Sequence, residues 1–176
     1  MNRDQDSAVS DTQIEMGRQM TDLMNRSWML MSSIHQGVPE GFEQASNKWT
    51  CLLRKANSRI VDCVVATEDM VQSIQDSAPP EGPIWKWLSD TGNRGEVLAR
   101  LANCELLSKP ILDSDQMFNP GESQELSLMM APSPGQKPPV AIIVLIRAAG
   151  QEGSDQELVA HASLAFAADY AEINRR

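Results

Sequence analysis

The sequence predicts an α+β domain, an antiparallel β-sheet of four to six strands with its N- and C-terminal helices packed on one face. Three observations predict it. Seven apolar residues run unbroken from Val140 to Ile146, rich in β-branched side chains and too short for a typical helix. An amphipathic helical stripe precedes Gly37 and an alanine-rich helical segment follows Gly153, so both ends read as helical. Between them, short apolar stretches alternate with Pro- and Gly-rich breaks, the texture of strands and turns.

The chain has 176 residues, enough for one domain with a real core. Hydrophobic residues make up 41% and charged residues 22%, a globular balance. The formal net charge of −9 disfavours DNA, RNA and anionic membrane surfaces. The densest basic stretch, Arg54, Lys55 and Arg59, falls around a turn and reads as solvated. The opening "MNRDQDSAVSD" has no apolar signal core. No uncharged apolar run approaches the roughly 20 residues that cross a bilayer. A soluble, cytoplasmic protein without a cofactor is expected.

Residues 1–9 read as a flexible leader, 10–36 as an amphipathic helix and 37–176 as the α+β domain. Ser10 with Gln13, and Thr12 with Glu15, are overlapping capping boxes. Met16, Met20, Leu23, Met24, Leu30, Met31 and Ile34 then fall within an arc of roughly 120° on a helical projection. Gly37 and Pro39 stop the helix. Thioether side chains suit a surface that packs without close shape matching. Two partners fit the stripe: the domain's own sheet, or the same helix of a second copy. In the second case a homodimer forms through Met16, Met20, Leu23, Met24 and Met31.

A short helical turn, "PEGFEQASNKW", leads into two predicted strands, "TCLLRKA" and "RIVDCVVAT", with Asn57-Ser58 at two-residue hairpin length. In the second, Val61, Cys63 and Val65 alternate with Ile60, Asp62 and Val64, which fits a sheet with one side better covered. "SAPPEGP" is a break and "IWKWLSDTG" a short helical piece. "RGEVLARLANCELL" is a further helix with Val97, Leu98, Leu101 and Ala102 inward. An extended segment at Pro110–Leu112 gives way to a polar loop. "ELSLMMA" alternates Leu126, Leu128 and Met130 on one face, a half-buried strand. "PSPGQKPP" is a turn stiffened by four prolines. After the central strand, Ser154 caps the closing helix with Glu157 at the box position. Its apolar arc holds Leu158, Val159, Ala162, Ala165, Phe166 and Ile173. Asp169 falls on the same arc and requires a partner group or an exposed helix end.

Cys51, Cys63 and Cys104 are odd in number and lack metal-ligand spacing. Cys51 and Cys63 stand in apolar, strand-like text, so buried free thiols are expected.

With these elements in order, the text resembles a GAF domain, a sensor module built on an antiparallel sheet, over about residues 40–175. The carriers are "RGEVLARLANCELLSKPILDSDQMF", with Lys109-Pro110-Ile111-Leu112-Asp113 and Phe118, then "ELSLMMAPS", with Ala131-Pro132, and the final strand and helix. The resemblance implies regulation rather than catalysis. The phosphodiesterase-type cyclic-nucleotide signature is missing, since Asn47-Lys48 is a lone dipeptide before the sheet. Bilin attachment lacks its Cys-His pairing at Cys104-Glu105, and His35 and His161 read as helix-surface or boundary residues rather than haem ligands.

No Gly-rich phosphate cradle, His-Glu-x-x-His or Gly-x-Ser-x-Gly elbow occurs. Asp113 and Asp115 offer paired carboxylates for a divalent cation, but in a Pro- and Gly-bounded loop they read as solvated. The chain is not expected to be an enzyme. Two functions compete. One is a sensor or regulatory module with a small ligand over the sheet, lined by Trp85, Trp87, Leu112, Asp113 and Phe118. The other is a ligand-free interaction or dimerisation domain acting through its terminal helices. The uncapped ending "INRR" further suggests a piece of a longer signalling or secretion-adaptor protein.

Overall fold

The computed structural model describes residues 15–21, 41–75, 78–112, 125–147 and 152–175. The chain divides into two units, Met1–Pro39 and Glu40–Arg176. In the first, residues 15–21 form helix α1. The remainder of the predicted helix over 10–36 lies outside the described residues, as does the leader.

The second unit runs α2 (Phe42–Ala56), β1 (Ile60–Thr67), α3 (Glu68–Gln72), α4 (Pro83–Leu88), α5 (Thr91–Ala102), β2 (Leu107–Leu112), β3 (Glu125–Pro132), β4 (Val140–Arg147) and α6 (Glu152–Arg175). The four strands form one open antiparallel sheet in the order β1-β4-β3-β2. The fold class is α+β, as the sequence predicts. The unbroken apolar run is an interior strand, with Val144 opposite Cys63 on one side and Met129 on the other.

Helices cover both faces of this sheet, which is why β4 is apolar at every position from Val140 to Ile146. Successive side chains of a strand point to opposite faces. Cys63, Val65, Met129, Ile142 and Val144 therefore share the face against which α2 and α6 pack. Phe42, Leu53, Val159 and Phe166 supply its buried cover. Leu128, Met130, Ile143 and Leu145 point the other way, into a core completed by Ile84, Trp85, Leu88, Val97 and Leu101 of α4 and α5. Double cover also corrects the reading of β3 as half-buried: every residue from Leu126 to Pro132 is buried.

A second correction concerns residues 50–56, which are the last turns of α2 and not a strand of a hairpin. Phe42, Ala45 and Leu53 are the buried residues of this helix, at the three-and-eight spacing of one helical face, whereas Leu52 is exposed. Leu, Arg, Lys and Ala are also strong helix formers, so "TCLLRKA" extends the helix begun at Phe42. Asn57 then turns the chain into β1, its side-chain Oδ1 accepting from Arg59 N and its carbonyl from Ile60 N.

Both sheet edges are blunted. Edge strand β2 carries the exposed Pro110, which has no N–H to offer a further strand. Edge strand β1 has a register irregularity between Ile60 and Asp62, and the Asp62 carboxylate takes the Cys63 N–H.

Candidate functional site

The short helix α4 positions the two tryptophans expected to line a ligand pocket. Trp85 and Trp87 are 8% and 9% exposed and belong to the hydrophobic core beneath α4 and α5. Trp87 is fixed from two directions. Its carbonyl accepts from Asn93 Nδ2 at 3.1 Å, and Lys109 Nζ lies 5.9 Å from its ring centroid while bonding Glu96. The backbone of Leu112 ends β2 opposite Glu125. Asp113, Asp115 and Phe118 lie outside the described residues. Of the predicted lining, the structure thus brings Trp85 and Trp87 together as core side chains.

A junction that the sequence did not single out lies at the β1 edge. Asp62 is 7% exposed, yet each carboxylate oxygen is engaged. Oδ1 accepts from Cys63 N at 3.0 Å and from Arg54 Nη2 at 3.1 Å; Oδ2 accepts from Ile84 N at 3.1 Å. One buried charge thereby joins α2, β1 and α4. Charge-assisted bonds of this kind offset the cost of withdrawing a carboxylate from water. For α4 the carboxylate replaces an N-cap, because Gly82 at that position has no side chain. The signal was an acidic residue inside apolar strand text. The neighbouring Cys63 thiol is pushed up to about 12, mainly by burial, with Arg54 opposing and Asp62 reinforcing the rise.

On the outer side of α2, Thr50, Cys51, Arg54 and Lys55 border a shallow, largely open cleft. Cys51 is exposed there, which corrects its expected burial: the residue sits on a helix face and not in a strand. Cys63 is buried as expected, Cys104 is exposed, and all three are free thiols.

The inner side of α2 meets α6 along a seam. Phe42 packs edge-on against Phe166 and Tyr170, whose rings stack at 5.7 Å. Farther along, Asp169 accepts from both Lys48 Nζ and Trp49 Nε1. The Lys48 hydrogen bond, more than any other influence, holds the Asp169 carboxyl below its usual range. At the other end, Asp155 accepts from Asn57 Nδ2 and pairs with Arg59.

In the first unit, Met16 and Met20 are 64% and 68% exposed. The other candidate dimer residues, Leu23, Met24 and Met31, lie outside the described residues. His161 is exposed on α6 and His35 is also outside. Among the described residues no group of three or more His, Cys, Asp or Glu is placed to hold a metal ion. None of the described helices is long and apolar enough to cross a membrane.

Comparison with family models, with curated proteins and with solved structures finds no match to this chain.

Proposed function

We propose that this chain is a non-catalytic regulatory module of GAF-like design that pairs with a second copy through its N-terminal amphipathic helix. The observation that carries this reading is the exposure of Met16 and Met20, four residues apart on one side of α1. Large, adaptable apolar side chains held in water at helical spacing suit a helix–helix contact. Association by strand addition is opposed by Pro110 on one edge and by Asp62 on the other. That leaves helices as the natural contact surface. The free, exposed thiols Cys51 and Cys104 suit a reducing compartment such as the cytoplasm.

The test is light scattering across a concentration series. The expected mass rises above the 19.4 kDa of one chain, and Met20→Lys restores the single-chain mass while Met20→Leu does not. A single-chain mass at every concentration would remove the pairing. A second reading, a small ligand seated over the sheet, requires room beside Trp85 and Trp87, which the structure packs into the core around α4 and α5. Its measure is a specific melting shift with one member of a panel of nucleotides, tetrapyrroles and small acids.

A further inference from the structure

We propose that the cleft on the outer side of α2 is a site for a small phosphate-type oxyanion, and that Asp62 relays its occupation to α4. This goes beyond the helix-pairing reading and stands independently of it.

Three cations cluster at residues 54–59, and the structure uses them unequally. Arg59 is engaged by Asp155 and by the carbonyl of Arg147. Arg54 gives one Nη to Asp62 and keeps the rest of its guanidinium fork, with the side chain 54% exposed. Lys55 makes no hydrogen bond or ion pair among the described residues. The surplus positive charge therefore belongs to the two cations that line the cleft with Thr50 and Cys51. The Thr50 hydroxyl donates to the Ser46 carbonyl, so the cations supply the recognition. A guanidinium beside an ammonium matches a compact oxyanion. A long polyanion is opposed by the −9 charge of the whole chain.

The relay follows from Asp62. An anion that draws Arg54 toward the cleft weakens the Arg54–Asp62 bond. The carboxylate loses its counter-ion while it still holds Ile84 N. Helix α4 spans only Pro83–Leu88, so its first turn depends heavily on that bond, and it carries Trp85 and Trp87. Occupation on one face of the sheet is thus felt on the other, around the β1 edge. The competing role for Arg54 and Lys55 is to complement the C-terminal end of the α2 dipole, which needs no ligand.

The experiment is a titration of the full chain with sodium phosphate, followed by amide ¹H–¹⁵N spectra, against sodium chloride at matched ionic strength. Saturable shifts are expected at residues 50–55 and at Ile84 with a common midpoint, in phosphate alone. Lys55→Gln, on an exposed side chain, should raise both midpoints about threefold, as expected for an exposed charge pair. Arg54→Gln should abolish the Ile84 response. Equal shifts in both salts would reduce the cations to their helix-end role and overturn the proposal. Saturation at residues 50–55 with Ile84 unmoved would overturn the relay, and unchanged midpoints in Lys55→Gln would overturn the site.

Discussion

Trp49 and Asp169 meet across the α2–α6 seam, the indole Nε1 donating to Oδ2 at 2.9 Å, and Lys48 Nζ donates to the same oxygen. This resolves the conflict of an acid on the apolar arc of the closing helix: two donors from α2 satisfy it. Asp169→Asn keeps an acceptor but removes the charge, so it should cost about 1 kcal/mol near neutral pH, kept small because the carboxylate is a third exposed. The folded carboxyl lies below its usual range, chiefly through Lys48. Its stabilisation is therefore complete above the unfolded value of about 3.9 and fades as pH falls through the folded value. Urea midpoints of the two proteins should differ at neutral pH and converge in acid. A difference that stays constant as pH falls would contradict the charge assignment.

The neighbouring corner of the seam depends on Gly41. Its φ is +85°, and an added Cβ would lie 2.1 Å from Ile173 Cγ2, so a side chain there displaces the end of α6 as well as straining the backbone. Gly41→Ala is expected to destabilise the domain by about 2–3 kcal/mol. Gly135, at φ +73° with nothing within 4 Å of its added Cβ, isolates the backbone part alone. Gly135→Ala should cost about 1 kcal/mol. Equal losses in the two variants, read from denaturant midpoints, would show that the Ile173 contact carries no weight.

How much of this was legible in the sequence depended on whether the deciding interaction was local. The β4 run announced an interior strand because seven consecutive apolar residues cannot all face a half-covered sheet. The Asp169 anomaly was visible as a charge on an apolar arc, although Lys48 and Trp49 lie some 120 residues away. The end of α2 was misread because its inward residues, Phe42, Ala45 and Leu53, straddle the boundary at which a strand was begun. Within "TCLLRKA" alone, adjacent Leu52 and Leu53 give no period. Asp62 could be seen as an acid in strand text, but its role depends on Ile84, 22 residues on, and on Arg54 of a helix taken for a strand.

Removing the Asp62 carboxylate should therefore cost more than any surface change. Asp62→Ala leaves the Cys63 and Ile84 amides without their acceptor and Arg54 without its partner, an expected loss of about 3 kcal/mol. The signature that separates this junction from general destabilisation is local. Amide exchange at Ile84 and in α4 should accelerate in Asp62→Asn well before exchange in β3 and β4 changes. Uniform acceleration throughout the sheet would rule out a specific hold on α4.

The three thiols offer the last separation, because one chain displays them in opposite environments. Cys51 and Cys104 are exposed, whereas Cys63 is buried against the α2–α6 layer. Burial, only partly opposed by Arg54, raises the Cys63 thiol from 9.0 to about 12. At mildly alkaline pH its thiolate fraction falls roughly a thousandfold below that of an ordinary cysteine, before steric exclusion is counted. A thiol reagent should label two cysteines per native chain quickly and the third only on unfolding. The same rise has a stability consequence with a definite sign. Below pH 9.0 both folded and unfolded thiols are protonated; from there to about 12 only the unfolded one ionises, so folding weakens across that window by up to about 4 kcal/mol. Cys63→Ala should flatten this alkaline decline relative to the parent chain. Rapid labelling of all three native thiols, or an alkaline slope untouched by Cys63→Ala, would show that Cys63 is reached by solvent and that the layer over β1 opens.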